Sequence, residues 1–410
     1  MGTRFELVRG NARLNALITV LAVPEDGATA TLKDNIDVAG VPTTAGSPSH
    51  ATGPAEADAE VTRLLREAGF AVVGKNNMAE FAMGATGRNA TYGDCLNAWD
   101  PARIPGGSSS GSAVAVAAGL SDVSLGTDTG GSGRIPASVN GIVGLRPTLG
   151  RVSNRGVLPV SRSFDTVTPM ARDVRTVAAA LAALDRWDPA DPTSVDGPRT
   201  PVDGLLGSGT LPRIGIAGGF FAEEVDAGVA HVVRAAARVF SGLGAQVVPV
   251  EVPSAAGAQA RMLDVMYPEA AAVHAARLRD APETIDPDVR RRLRLGLAVP
   301  PERTAAARAW HRDFRAAVDA LFAHVDVIVT PTIPVDVPLA EGVDLAASTR
   351  EIARFTYTWS SYGGPSLSVP GGVHPESSLP VGVQLSAAPW RDDVLLLAAE
   401  VFEQARGPLR

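Results

Sequence analysis

Between residues 105 and 172 the chain is dense in Gly, Ser and Thr and poor in long side chains. Such a stretch is usually loop. Here it is interleaved with apolar runs at residues 113–120, 123–126 and 142–145. Small side chains let backbones approach one another, and a ligand, closely. The stretch is therefore read as packed structure, and the rest of the chain must fold around it.

The flanking sequence alternates helix and strand patterns. Val61, Leu64, Leu65 and Ala68 recur at i, i+3, i+4, i+7, predicting an amphipathic helix near residues 58–68, stopped by Gly69. Residues 70–74 read as a strand. Further strands are expected at 214–217, 246–250, 326–329, 366–369 and 381–385. Val229, Val232, Val233 and Ala236 mark a helix ending near residues 242–244, and Val394, Leu397, Ala398 and Val401 mark a last one behind Asp392. This is the pattern of an α/β chain with a largely buried sheet. Residues 185–212, rich in Asp, Pro and Gly, read as a surface connection. Residues 254–324 read as helical, and their basic cluster, Arg290, Arg291, Arg292 and Arg294, reads as a solvated helix face.

Composition narrows the function. The formal net charge of −7 argues against a nucleic-acid-binding surface. The apolar stretches fall far short of the ~20 residues of a membrane span. Residues 1–10 carry Arg4, Glu6 and Arg9 and no apolar run, so no signal peptide is expected. A soluble cytoplasmic protein is the expectation. The one cysteine, Cys95, excludes an intramolecular disulfide or a cysteine-cluster zinc site. No His, Asp and Glu set has metal-ligand spacing, so neither metal nor cofactor is expected. Of 37 basic residues only Lys33 and Lys75 are lysine. A buried lysine can lose its proton, whereas arginine stays charged.

Residues 107–111 satisfy G-x-S-x-G, which alone would make Ser109 the nucleophile of an α/β-hydrolase. That reading needs a strand directly before the serine, and Asp100-Pro101-Ala102-Arg103-Ile104-Pro105-Gly106 is not one. A phosphate loop fails because no lysine follows the glycines of residues 126–133. Three pieces remain. They are Leu32-Lys33-Asp34-Asn35-Ile36-Asp37, Gly106-Gly107-Ser108-Ser109-Ser110-Gly111 and Gly126-Thr127-Asp128-Thr129-Gly130-Gly131-Ser132-Gly133-Arg134. In the third, a strand-like run leads into glycines that let successive backbone N–H groups point one way, beside a hydroxyl.

In this order the three pieces resemble the amidase signature family of Ser-Ser-Lys amidohydrolases. The resemblance runs over nearly the whole chain. It includes Val73-Gly74-Lys75-Asn76-Asn77-Met78, Asn140-Gly141-Ile142-Val143-Gly144-Leu145-Arg146-Pro147-Thr148 and Leu379-Pro380-Val381-Gly382-Val383-Gln384-Leu385. It implies one amidase-signature domain over residues 1–410, with its core at about 30–172 and a helical pocket region at about 254–324. The implied fold is α/β, a central mostly parallel mixed sheet covered by helices on both faces.

By the same resemblance Lys33 matches the catalytic lysine, Ser108 the bridging serine on a cis peptide after Gly107, and Ser132 the nucleophile. Thr129, Gly130 and Gly131, with the Ser132 amide, match the oxyanion hole. Ser109, Asp128 and Arg134 would fix the turn. Lys75 matches no chemical role and reads as structural. The acyl pocket is expected from Ala82, Met83 and Gly84, from residues after 331 and from 357–362, with Tyr267, Glu269 and Trp359 as candidate substrate contacts. The implied partner is a small-molecule amide. The middle of the chain is similar to amidase domains acting on ureides such as allophanate, the tail to carboxybiuret hydrolases, and the core also to mandelamide and indoleacetamide hydrolases. The alternative is the amidase component of a glutamine-dependent tRNA-amidotransferase-like complex. No nucleic acid or membrane contact is expected, and the oligomeric state, a homodimer included, is left open.

Overall fold

The structure is a computed structural model and describes residues 4–24, 26–50, 53–202 and 211–409. Among the described residues eleven strands form one sheet. In chain order they are β1 (Leu17–Val20), β2 (Thr29–Lys33), β3 (Ala71–Asn76), β4 (Val123–Asp128), β5 (Val143–Arg146), β6 (Thr166–Ala171), β7 (Ile214–Ala217), β8 (Val247–Val250), β9 (Val327–Pro331), β10 (Ser366–Val373) and β11 (Pro380–Ala387). Their order across the sheet is β1-β3-β2-β4-β6-β5-β10-β11-β9-β7-β8.

The α/β class and the helices on both faces are as expected. The strand directions correct the expectation of a mostly parallel sheet. Four neighbouring pairs are parallel, β2–β3, β2–β4, β7–β8 and β7–β9. The other six are antiparallel. Three of the six arise at the centre, where the β10–β11 hairpin sits between β5 and β9 and runs against both, and two more because β6 runs against both β4 and β5.

Strand alternation sorts the two faces. On β4, Val123 and Leu125 enter an apolar cluster with the helices Glu60–Glu67, Val174–Leu184, Ala227–Gly242 and Asp392–Arg406. Ser124 and Gly126 face the other way. There the helices Ser110–Ala117 and Arg134–Asn140 lie close against the sheet. The approach is so close that a Cβ on Gly126 would fall 2.8 Å from Ser109 Oγ, and one on Gly144 would fall 2.7 Å from the Ala137 methyl. The small-residue stretch is thus packed structure, as read. Beyond this layer, helices Ala258–Val273, Pro287–Leu297, Pro301–Phe322 and Arg354–Tyr362 carry two further apolar clusters.

The expected helix near 58–68 spans Glu60–Glu67, and the strands near 70–74, 214–217, 246–250, 326–329, 366–369 and 381–385 are β3, β7, β8, β9, β10 and β11. Residues 185–202 carry no helix or strand, in line with a connection, but Asp188 and Asp191 are buried and bind Ser153, Asn154 and Arg155. Residues 203–210 of the expected surface connection lie outside the described residues. No described helix is long and apolar enough to cross a membrane.

Candidate active site

Parallel neighbours end at the same edge of a sheet, and crevices at carboxyl ends of strands are where α/β proteins bind ligands. β2 and β4 are such a pair, with Leu32 opposite Leu125. Lys33 closes β2 and Asp128 closes β4. The helix Ser110–Ala117 brings a third segment to this edge. Just before it, the Gly107–Ser108 peptide is cis. Ser109 fastens the segment: its Oγ donates to the Thr127 carbonyl at 3.1 Å and accepts from the Thr127 amide at 3.2 Å. Its own N–H donates to the Ser132 carbonyl at 3.2 Å.

Lys33 therefore lies at a meeting point of three segments. Its Nζ donates to Ser108 Oγ at 2.7 Å and to Thr127 Oγ1 at 2.8 Å, and the side chain is fully buried. Burial penalises the charged ammonium and pulls its pKa down to about 7, against the upward pull of Asp128 and Asp165. Lys75 is buried too, but it pairs with Asp34 at 3.0 Å and donates to Thr43 Oγ1 at 3.2 Å. One lysine is matched to a carboxylate and the other to hydroxyls.

Asp128 organises the turn after β4. It accepts from the Gly131 amide at 2.8 Å and the Gly133 amide at 3.2 Å. Arg134 Nε and Nη2 donate to it at 2.9 and 3.0 Å, and Arg146 Nη1 lies 3.4 Å away. Burial works to raise the Asp128 pKa, but the two guanidiniums outweigh it and hold the carboxylate well below its usual range. Arg134 reaches on to Gln384 on β11 at 2.7 Å and to Ser360 at 2.7 Å. Asp165 accepts from Thr129 Oγ1 at 2.6 Å, and burial raises its pKa to about 6.

Ser132 opens on a cavity of about 40 Å³. Of the expected residues, Thr129, Gly130, Ala82, Met83, Gly84 and Tyr267 line it, and so does Tyr357. Others do not. The Gly131 N–H is taken by Asp128 and Gly131 is outside the lining, which removes it from the expected set of oxyanion donors. Trp359 is fully buried in an apolar cluster with Phe221, Phe355 and Tyr362 and does not reach the cavity, whereas Tyr357, two positions earlier on the same helix, lines it. Glu269 is tied to Ser161 and Ser163 and to Arg308, outside the lining. Of the residues after 331, Thr349 and Ala353 do line it, whereas none between 332 and 348 does. Ser109, the nucleophile of the α/β-hydrolase reading, is spent on the Thr127 backbone.

Arg292 lines the cavity without having been expected. Arg292 belongs to the basic cluster read as a solvated face. It is buried, whereas Arg291 and Arg294 are exposed. The signal was in the spacing: Val289, Arg292, Leu293 and Gly296 recur at i, i+3, i+4, i+7 and form the buried side of the helix.

The family model for Amidase matches residues 24–396. The chain belongs to the amidase family. Its curated relatives include the A component of the Glutamyl-tRNA(Gln) amidotransferase of Methanospirillum hungatei, 39% identical over 93% of this chain and 94% of the relative. The AtzE component of the 1-carboxybiuret hydrolase of Pseudomonas sp. (strain ADP) is 36% identical over 91% and 82%. Among solved structures, a chain of a vestigial protein complex bearing on the origins of an s-triazine catabolic enzyme superposes with a TM-score of 0.91. It is 32% identical, with 98% of this chain and 94% of that one covered. A crystal structure of an amidase gives 0.86 at 31% identity, over 99% and 97%. With membership of the amidase family comes the class of reaction, cleavage of an amide C–N bond.

The buried charge cluster sets an expectation for stability. Asp128→Ala should lower the unfolding free energy by about 3–5 kcal/mol, since it leaves Arg134 and Arg146 buried without their carboxylate. Chemical denaturation measures this, and a loss below about 1 kcal/mol would show that the cluster does not organise the turn.

Proposed function

We propose that the chain is an amidohydrolase that cleaves a small-molecule amide through an acyl-enzyme on Ser132. The observation that carries this reading is the buried contact of Lys33 Nζ with Ser108 Oγ at 2.7 Å, next to a segment bonded to Ser132. A serine hydroxyl needs a base before it can attack. With a pKa pulled to about 7, Lys33 is neutral in a large fraction of molecules near neutral pH and can be that base. Lys33 takes the Ser108 proton, and Ser108 takes the proton of Ser132 as Ser132 Oγ bonds to the amide carbon. The developing oxyanion is received by backbone N–H groups of residues 129, 130 and 132. The C–N bond then breaks, and the proton returns through Ser108 to the leaving amine. Water repeats the sequence in reverse and releases the acid. Asp128, Arg134 and Ser109 hold the turn in register. The substrate class is a ureide or a short aryl or alkyl amide.

A second reading has a specific observation behind it. The 39% identity to the A component of an amidotransferase extends over nearly the full length of both chains. In that reading the same residues release ammonia inside a complex with other proteins.

Lys33→Ala, Ser108→Ala and Ser132→Ala should each lose at least about a hundredfold in turnover, with Ser132→Ala abolishing acyl-enzyme formation. Lys33→Arg should be equally inactive, because arginine does not give up its proton. Near-normal turnover of Ser132→Ala would sink the assignment.

The acid limb of kcat/KM should reflect an apparent pKa near 7, with activity rising as pH increases through it, because the base must be neutral. Asp165 favours the Lys33 ammonium, so Asp165→Asn should move that limb to lower pH. A limb that stays in place contradicts the coupling.

Finally, the purified chain is assayed for ammonia release from simple amides, ureides and glutamine, with and without the other components of an amidotransferase. Turnover by the chain alone is expected; turnover only in the complex supports the second reading.

A further inference from the structure

We propose that a water site behind Thr127, held by Asn35 and Asn154, fixes the direction in which the hydrogen bonds of Lys33 run and so aims its lone pair at Ser108. The inference rests on the amidase reading above and adds positioning residues to it.

A neutral lysine carries two N–H donors and one lone pair. To act as base for Ser108 it must turn that lone pair toward Ser108 Oγ. Its hydrogen-bonding neighbours among the described residues are two hydroxyls, Ser108 Oγ at 2.7 Å and Thr127 Oγ1 at 2.8 Å. A hydroxyl donates as readily as it accepts. A Thr127 that donated to Nζ would occupy the lone pair and leave the Ser108 proton without a base. Thr127 must therefore accept from Lys33 and place its own proton elsewhere. Its other neighbour among the described residues is Asn35 Nδ2 at 3.4 Å, which is itself a donor.

Thr127 also lines a cavity of about 10 Å³, room for one water molecule. Asn35, Asn154 and Asp165 line it as well. It shares Thr129 and Val160 with the cavity at Ser132, but Ser132 is not in its lining. Asn35 Oδ1 and Asn154 Oδ1 are both buried with no hydrogen-bond partner among the described residues, and Asn35 is only 2% exposed. The orientation of each amide is set by a backbone carbonyl, which can only accept. Asn35 Nδ2 donates to the Leu158 carbonyl and Asn154 Nδ2 to the Asp165 carbonyl, each at 3.2 Å. Asp165 is already engaged, its carboxylate accepting from Thr129 Oγ1 and from the Val160 and Ser161 amides.

Two buried acceptors left unpaired are costly. One water answers all three groups. It donates to the two amide oxygens and accepts the Thr127 proton, the roughly three bonds usual for a buried water. The hydrogen bonds then run one way, from Lys33 Nζ to Thr127, to the water and on to the two amides. Thr127 is held as an acceptor, and the Lys33 lone pair is left for Ser108.

The kinetic test is a double-mutant cycle, read as kcat/KM at pH values above the acid limb, where Lys33 is neutral. Asn35→Leu removes an acceptor of the water and frees the Thr127 hydroxyl to turn. It should lose about threefold to tenfold, the size of one neutral hydrogen bond. In the Thr127→Val background there is no hydroxyl to turn, and the same substitution should cost less than about twofold. Thr127→Ser, which keeps the hydroxyl, should keep the Asn35 effect. Asn154→Leu approaches the water from its other side and serves in the same cycle if Asn35→Leu does not fold. Asp128 and Asp165, the carboxylates that favour the Lys33 ammonium, are kept throughout. An equal loss in the threonine and valine backgrounds, or no loss in either, would overturn the proposal.

A crystal structure that resolves ordered waters decides independently of turnover. One water within about 2.7–3.2 Å of Thr127 Oγ1, Asn35 Oδ1 and Asn154 Oδ1 is expected. A dry site, or a cation there, which cannot accept the Thr127 proton, overturns it. Lys33-dependent hydrolysis without the Thr127–Asn35 coupling would defeat this inference and leave the amidase reading intact. Failure to cleave any amide would defeat that reading, and the crystal structure would still decide for or against the water site.

Discussion

A single buried carboxylate, Asp128, joins the parts of the site. Two guanidiniums and two amides of the following turn converge on it, and through Arg134 the turn is connected to β11 and to the helix Arg354–Tyr362. Buried ion pairs are weak sources of net stability, because desolvation offsets most of the attraction. Their better-attested use is to fix one arrangement over its alternatives. Here the arrangement fixed is the turn that presents Ser132, and the elements bound to it come from distant parts of the sequence.

Lys33 is held by the opposite balance. Among the described residues no carboxylate pairs with it; its hydrogen bonds go to the hydroxyls of Ser108 and Thr127, and desolvation leads over the more distant pull of Asp128 and Asp165. Lys75 is buried to the same degree, yet Asp34 neutralises it at 3.0 Å. The same residue type, buried in the same sheet, takes two different roles according to what stands beside it. On the proposed reading Lys33 is the cation that has to become neutral, a change that arginine does not make.

Much of this was legible in the sequence, and the reasons differ by element. Apolar runs announced the flanking strands because the sheet is covered on both faces, and the 3.6-residue period announced the helices because each buries one face. The three small-residue motifs carried the edge of the site because their spacing and order resemble a family, and the segments bearing Lys33, Ser108 and Ser132 do converge on that edge. Strand direction was not legible: nothing local to residues 366–387 says that this hairpin will be inserted between β5 and β9. The pocket walls were legible only in part. Trp359 and Tyr357 share a helix, and which of them turns inward is decided by packing against Phe221 and Phe355, the first of them far away in sequence. Arg292 could have been found, since its helical spacing set it on the apolar side, but its charged neighbours made the whole cluster look solvated.

The position of the β10–β11 hairpin also bears on the order in which the protein is made. Strands β1 to β6 all lie within residues 17–171, and β7 to β9 within 214–331. Each group forms a contiguous half of the sheet, the first ending at β5 and the second at β9. Until residues 366–387 leave the ribosome, both halves present an open edge of unpaired backbone groups, the kind that recruits other strands. The hairpin closes both edges at once. It is a late-arriving keystone, and the nascent chain before it carries two strand edges that the finished sheet does not expose.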